Sequence, residues 1–319
     1  MTGDRAIVVT GAAGFIGSHV SAELLSRGER VVGIDNFDPF YDVSLKRANV
    51  ASLGAGFDLQ EIDIRDETAM RSLFEAVRPR SVIHLAARAG VRPSIEDPVG
   101  YAEVNVGGTA VVLACAERVG CERVVAASSS SVYGNNEKTP FSEQDSVEHP
   151  ISPYAATKRS CELIAETHHR LTGMPTAMLR FFTVFGPRQR PDLAIAKFLG
   201  MVSAGEPIPF FGDGTTSRDY TYIDDIVAGV LSAHQRIDDF GFRIWNLGGD
   251  SPVSLSEMVE TVGRVVGRDP VIDRKPLQPG DVDRTWADLT RSGSELEYRP
   301  TTSLEAGMEL QWAAAAQGV

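Results

Sequence analysis

The sequence predicts an α/β chain, with a doubly wound parallel sheet over residues 1–185 and a smaller C-terminal domain over 186–319. Two observations predict it. Short β-branched runs alternate with stretches of helical spacing, and the runs are continuously apolar, as in a parallel sheet covered on both faces. After Phe185 the texture shifts to turn residues and arginine, as in GPRQRPD and GEPIPFFGDGTTSRD. The strands are expected at 6–10, 30–34, 57–62, 81–86, 123–128 and 176–181. FIGSHVSAELLSRG, ETAMRSLFEAVR and TAVVLACAERVG form helices between them. Shorter helices are expected at 192–204, 255–266 and 303–316. Asp224 to His234 and Phe242 to Leu247 read as a helix followed by a buried strand, so the chain is expected to return to the sheet around 220–250.

Composition narrows the function classes. A chain of 319 residues, 43% hydrophobic and 23% charged, is long enough for two domains and a core without disulfide or metal staples. Its formal net charge of −12 argues against a nucleic-acid or anionic-membrane binder, though arginines can still cluster around one anionic ligand. Cys115, Cys121 and Cys161 have neither metal-ligand spacing nor a disulfide framework, which fits a reducing cytoplasm and no metal site. MTGDRAIVVTG carries only a short apolar run, so neither a signal peptide nor a membrane span is expected there.

The first strand runs into Gly11-Ala12-Ala13-Gly14-Phe15-Ile16-Gly17, which opens the first helix. Gly11 permits a tight turn, Gly14 a close approach to pyrophosphate, and Gly17 close packing of helix on sheet. Free N–H groups and the helix dipole would then stabilise phosphate charge. Asp35 ends the second strand, followed by Asn36. A carboxylate there accepts the adenosine ribose hydroxyls and repels a 2′-phosphate, which favours NAD over NADP. Asp63 and Ile64, after the third strand, are placed to reach adenine or to serve a turn.

The fifth strand ends in Ser128-Ser129-Ser130-Ser131, and Ser152-Pro153-Tyr154-Ala155-Ala156-Thr157-Lys158 follows. Pro153 suits a helix start, and Tyr154 and Lys158 at i and i+4 share one face. The lysine cation favours the phenolate, making the tyrosine a base, while Ser129 hydrogen-bonds the same substrate oxygen. Hydride removal from a carbinol carbon needs this set.

TGAAGFIG, Asp35, HLAA at 84–87, NVGGT at 105–109, SSSSVYG, YAATK, RFFTVFGP, GDGTTSRDYTYIDD and NLGG together resemble the extended short-chain dehydrogenase/reductase family over essentially the whole chain. The resemblance implies a Rossmann domain holding NAD, a UDP-sugar-binding C-terminal domain, and a homodimer built on helices around 96–119 and 154–171. It makes Ser129, Tyr154 and Lys158 the catalytic set and adds Leu85, Ala86, Ala87 and Asn105 to the cofactor site. DNFDPFYDVSLKRA, AARAGVRPS and RFFTVFGPRQRPDLA further resemble the UDP-glucuronate 4-epimerase group, with Arg88 standing where that group has Gln.

The implied reaction converts UDP-glucuronate and UDP-galacturonate through a 4-keto sugar and NADH, with Tyr154 as acid and base. A C4 ketone beside a C5 carboxylate is a β-keto acid, so the carboxylate must be held away from the cleavage geometry. Arg190 is the first choice for this, with Thr183, Ser129 and Ser131 as hydroxyl donors; Arg188 is a second candidate or faces the cofactor, and Arg88 is expected among the substrate-binding residues near the sugar pocket. Arg218 matches the family's diphosphate contact and Asp281 its uridine-ribose contact. Ser130-Ser131 replaces the Asp-Glu pair of the 4,6-dehydratases. UDP-glucose 4-epimerase, UDP-glucuronate decarboxylase and a silent NAD-sensing scaffold are the alternatives.

Overall fold

A computed structural model describes residues 5–276 and 282–316. Seven strands build one parallel sheet: β1 (Ile7–Thr10), β2 (Val31–Ile34), β3 (Asp58–Gln60), β4 (Ser81–His84), β5 (Arg123–Ser129), β6 (Thr176–Phe181) and, from later in the chain, β10 (Phe242–Leu247). Their order is β10-β6-β5-β4-β1-β2-β3, so the crossover direction reverses between β1 and β4. Ligands bind such sheets at the carboxyl ends beside that switch point.

The strands are apolar because both faces are covered. Every residue of β1, β2, β4 and β6 is buried. One layer holds α1 (Phe15–Ser26) and α9 (Ile223–Arg236), the other α3 (Glu67–Val77), α6 (Gly108–Arg118) and α7 (Pro153–Thr172), with α2 (Val43–Ala51) beside α1. Residues 223–247 thus run back along the sheet, where Phe242–Leu247 pairs with Thr176–Phe181.

Two strands fall short of their sequence runs by more than one residue. β3 pairs only with β2, from Val32↔Asp58 to Ile34↔Gln60, and as an edge strand it ends with that register. β4 stops at His84 because the backbone amides of Leu85 and Ala86 turn back to the Thr10 carbonyl and hydroxyl at 3.2 and 3.1 Å.

Helix ends follow the capping rules. Ser152 Oγ accepts from the Ala155 amide at 3.1 Å, Pro153 takes the first turn, and Gly173 closes α7 at φ +76°. Between β4 and α6 lie the short α4 (Val91–Glu96) and α5 (Pro98–Tyr101), then a π-helical turn at Ala102–Gly107. The run Pro98–Arg118 is long and apolar enough to cross a membrane by length and composition. It is interrupted by Glu103 and Asn105, and Asn105, Val112, Leu113 and Ala116 are buried in the fold.

Outside the main sheet, β7 (Thr183–Phe185), β9 (Ser217–Tyr222) and β11 (Pro252–Ser254) form a three-stranded sheet, and β8 (Ile208–Phe211) pairs with β12 (Ile272–Lys275). α8 (Ala194–Ala204), α10 (Leu255–Val266) and α12 (Leu304–Ala316) pack together there, while α11 (Thr290–Glu295) lies against β10.

Candidate active site

A cavity of about 350 Å³ opens at the carboxyl ends of the strands. Its wall at one end is the glycine turn. Gly11 adopts φ +70°, its amide bonds the Ile34 carbonyl at 2.7 Å, and a Cβ on it would lie 2.8 Å from the Ala86 amide nitrogen. A Cβ on Gly17 would lie 2.0 Å from the Gly11 carbonyl oxygen, so helix and turn touch backbone to backbone. Gly14 caps α1 without a side-chain hydrogen bond, and no acid stands in the first turn. A helix start with no side-chain cap and no acid in its first turn fits a pyrophosphate. The residues present therefore suit a dinucleotide, with Gly11, Gly14, Phe15, Ile16 and Gly17 at its phosphates.

Asp35 is 6% exposed and heavily engaged: Oδ1 accepts from the Phe37 amide (2.8 Å) and Lys46 Nζ (3.4 Å), and Oδ2 from the Ala13 amide (3.2 Å). A carboxylate offers about four acceptor sites, so little capacity is left for ribose hydroxyls, and Lys46 offsets part of the charge. Asn36 donates to Asp63 at 3.0 Å, and Arg65 grips the same carboxylate. The Arg65 hydrogen bonds pull Asp63 down to about 2. Asn36, Asp63, Ile64, Leu85, Ala86 and Ala87 all line the cavity.

Further along the cavity Ser129, Tyr154 and Lys158 come together from β5 and α7. Ser129 Oγ accepts from the Ser131 amide and donates to Ser131 Oγ, both at 3.1 Å. Lys158 is 4% exposed and its Nζ donates to the Ala127 carbonyl at 2.9 Å. Tyr154 is seated by the Ser94 hydroxyl on its amide (3.1 Å) and edge-on against Tyr101.

Two buried networks hold this set. His84 is pushed down to about 3 by burial and by the Lys158 charge, so it is neutral. Thr109 spends its hydroxyl proton on the Asn105 carbonyl (2.5 Å), so His84 Nε2 must donate to Thr109 (3.1 Å) and Nδ1 must accept from Thr10 (2.7 Å). The second network centres on Glu162, one turn beyond Lys158. It accepts from Ser128 Oγ (2.6 Å), from Arg180 Nε and Nη2 (2.8 and 2.9 Å) and from Arg159 Nη1 (3.0 Å).

Arg190 and Thr183 line the same cavity. The Arg190 side chain is 14% exposed and paired with Asp192 at 3.0 and 2.7 Å. It also lies 4.9 Å from the centre of the Phe40 ring. Tyr41, beside Phe40 on the loop after β2, is pushed up to about 12 by burial.

Several sequence candidates sit differently from their expected roles. Arg88 lines the cavity, but its guanidinium pairs with Asp38 (3.3 Å) and Asp97, tying the loop after β2 to the α4–α5 turn. Asn105 is 1% exposed and does not line the cavity. Its Oδ1 accepts the Arg88 amide at 2.8 Å, and its Nδ2 donates to the Arg88 carbonyl and to Thr157 Oγ1, both at 3.0 Å. Ser131 stands behind Ser129. Arg188, at φ +62°, turns away to Ser18 Oγ at 3.4 Å. Arg218 lies on β9 opposite Val253, with Nη1 on the Ser217 carbonyl at 2.9 Å, outside the cavity. Asp281 lies outside the described residues. Lys46, Asp38, Phe40, Tyr41, Asp192 and Glu162 were missed as site residues. The DNFDPFYDVSLKRA motif contains four of them and RFFTVFGPRQRPDLA contains Asp192, but neither motif marks their contacts.

Among the described residues no cluster of three or more His, Cys, Asp or Glu could hold a metal. The chain is similar to a UDP-glucuronate 4-epimerase of Thermodesulfobacterium geofontis, 40% identical over 95% of this chain and 93% of that protein. Among solved structures it resembles the Bacillus cereus UDP-glucuronic acid 4-epimerase in complex with UDP-glucuronic acid and NAD. That match has a TM-score of 0.92 and 35% identity over 99% of this chain and all of that one. It is also similar to a Thermotoga maritima UDP-glucose 4-epimerase with UDP-glucose, with a TM-score of 0.90 and 32% identity over 98% and 99% of the two chains. Residues 7–248 match the model of the NAD dependent epimerase/dehydratase family, and the chain belongs to that family.

Proposed function

We propose that this chain is a UDP-glucuronate 4-epimerase, interconverting UDP-glucuronate and UDP-galacturonate. The observation that carries the reading is a partly buried arginine, Arg190, lining the same cavity as Tyr154 and Lys158. A cation and the Thr183 hydroxyl facing an acid/base pair suit a sugar that carries a carboxylate.

NAD, when bound, would supply the two-electron acceptor and donor for C4. Gly11, Gly14, Phe15, Ile16, Gly17, Asp35, Asn36, Asp63, Ile64, Leu85, Ala86 and Ala87 would hold it. Tyr154 takes the proton from the sugar 4-hydroxyl and returns it after the ring has turned. Ser129 donates to the C4 oxygen, and the Lys158 cation, anchored on Ala127, stabilises negative charge at the phenol. Arg190 is fixed bidentately by Asp192, so its guanidinium has one orientation in which to hold the uronate carboxylate. That contact favours the charged carboxylate over the neutral product of decarboxylation. Arg218 and Asp281 are the proposed anchors of the UDP end, which must stay bound while the sugar turns.

One observation favours UDP-glucose 4-epimerase as a second reading. Asp192 offsets part of the Arg190 charge, which lowers the cost of leaving that side chain without a carboxylate. Exposed Ile95, Val99 and Leu163 on α4, α5 and α7 support a homodimer through those helices, and three free buried cysteines suit the cytoplasm.

The test is to incubate the pure protein with UDP-glucuronate without reductant and identify the products. UDP-galacturonate supports the reading, and UDP-xylose or carbon dioxide release replaces it with decarboxylation. Turnover of UDP-glucose alone installs the second reading. Arg190→Ala should lower kcat/KM for the uronate roughly ten- to hundredfold, from about 1.5–3 kcal/mol for a charge-assisted contact. The neutral sugar should be far less affected; equal losses would contradict the carboxylate role.

A further inference from the structure

The loop that carries Arg190, between β7 and α8, is built on backbone that needs outside support. Gly186 stands at φ +140° and Arg188 at φ +62°. A non-glycine residue in that region persists only when its surroundings over-determine it. The support comes from the far end of the chain. Gln311, on α12 and 5% exposed, accepts the Gly186 amide on Oε1 at 3.0 Å. Its Nε2 donates to Gln189 Oε1 at 2.9 Å.

Gln189, 9% exposed, relays this into the loop. Its Oε1 also accepts the Ala196 amide at 3.1 Å, and its Nε2 donates to the Val184 carbonyl at 2.9 Å. Both side-chain amides have one possible orientation, because the Gly186 and Ala196 amides can only donate and must face oxygens. α12 is held close enough to do this by Gly307, where a Cβ would lie 2.6 Å from the Phe185 ring. Neither glutamine lines the cavity, yet together they fix the backbone on both sides of Arg190.

We propose that Gln311 is a positioning residue for Arg190, so that the C-terminal helix sets how well the site holds a uronate carboxylate. The proposal rests on the uronate reading above. It predicts a selective defect: a neutral sugar does not use Arg190 and should not notice a shift of the loop.

The experiment compares wild type with Gln311→Met and Gln311→Glu on UDP-glucuronate and UDP-glucose, together with amide hydrogen exchange over 184–196. Glu keeps the acceptor for Gly186 but cannot donate to Gln189, and it serves if the Met variant does not fold. The expected result is a rise of about five- to tenfold in KM for the uronate, the effect of one or two lost hydrogen bonds. kcat and the neutral-sugar kcat/KM should stay within about twofold, and the Gly186 and Ala196 amides should exchange faster. In an Arg190→Ala background the same substitution should add nothing to the uronate defect. Equal losses on both sugars, or an additive loss in the Arg190→Ala background, would overturn the proposal. So would unchanged uronate kinetics in a variant whose loop exchanges faster. A wild-type protein inert toward UDP-glucuronate would defeat the functional reading instead, which distinguishes the two failures.

Discussion

Replacing Glu162 with Gln probes the clamp between the catalytic helix and the sheet. Glu162 is fully buried on its side chain, and its two oxygens accept four hydrogen bonds, two from Arg180, one from Ser128 and one from Arg159. Gln has one acceptor oxygen, and its amide group would point a donor at donors. Arg180, 1% exposed, is then left as a buried charge without its counterion. Breaking such a pair costs about 3–5 kcal/mol, a large part of a total stability of about 5–15 kcal/mol. Tm should fall by roughly 4–8 °C, read by calorimetry or circular dichroism at pH 7.

The effect has a direction in pH. Burial pushes the Glu162 carboxyl up, but the Arg180 hydrogen bonds and charge, with Ser128 and Arg159, outweigh it and hold it below its ordinary 4.5. A depressed folded value contributes stability above 4.5 that is lost as pH falls through the lower value. The gap between wild type and Glu162→Gln should therefore narrow on acidification below 4.5. A Tm change under about 2 °C at pH 7, the behaviour of a surface pair, or a gap that widens in acid, would refute this account of the clamp.

Two further substitutions test the site's scaffold. Gly17→Ala puts a Cβ 2.0 Å from the Gly11 carbonyl oxygen, so the turn must open. Overpacking of about 1–3 kcal/mol should weaken NAD binding by roughly five- to hundredfold, measured by titration calorimetry, and unchanged affinity would contradict the cradle. Ser152→Ala removes the acceptor for the Ala155 amide at the start of α7. It should cost about 1 kcal/mol in denaturant unfolding with the slope unchanged, and a neutral effect would show that Pro153 suffices to start the helix.

Much of the architecture was legible because its signals are local. Continuous β-branched runs, the glycine turn and the Ser-Pro start of α7 each fit within about ten residues, and they located the strands, the turn that opens α1 and the helix carrying Tyr154 and Lys158. The strand ends were less legible: β3 stops at Gln60 because it has one neighbour, which its own residues do not encode. Arg88 read as a pocket cation, but Asp38 and Asp97, from two other segments, claim its guanidinium. Asn105 belonged to a nucleotide-site motif, yet its carboxamide is spent on the Arg88 backbone and Thr157.

By itself, then, the sequence determined the doubly wound sheet, the dinucleotide turn and a serine, tyrosine and lysine set, because periodicity, glycine spacing and i, i+4 pairing are short-range physics. Only the tertiary structure decided which of two arginines, two residues apart, enters the cavity. Arg188 turns to Ser18 of α1, while Arg190 is drawn inward by Asp192, Phe40 and the Ala89 carbonyl. It also placed Lys46 on Asp35 and Gln311 behind Gln189. Such contacts join groups 11 and 122 residues apart, and their geometry exists only once the layers have packed.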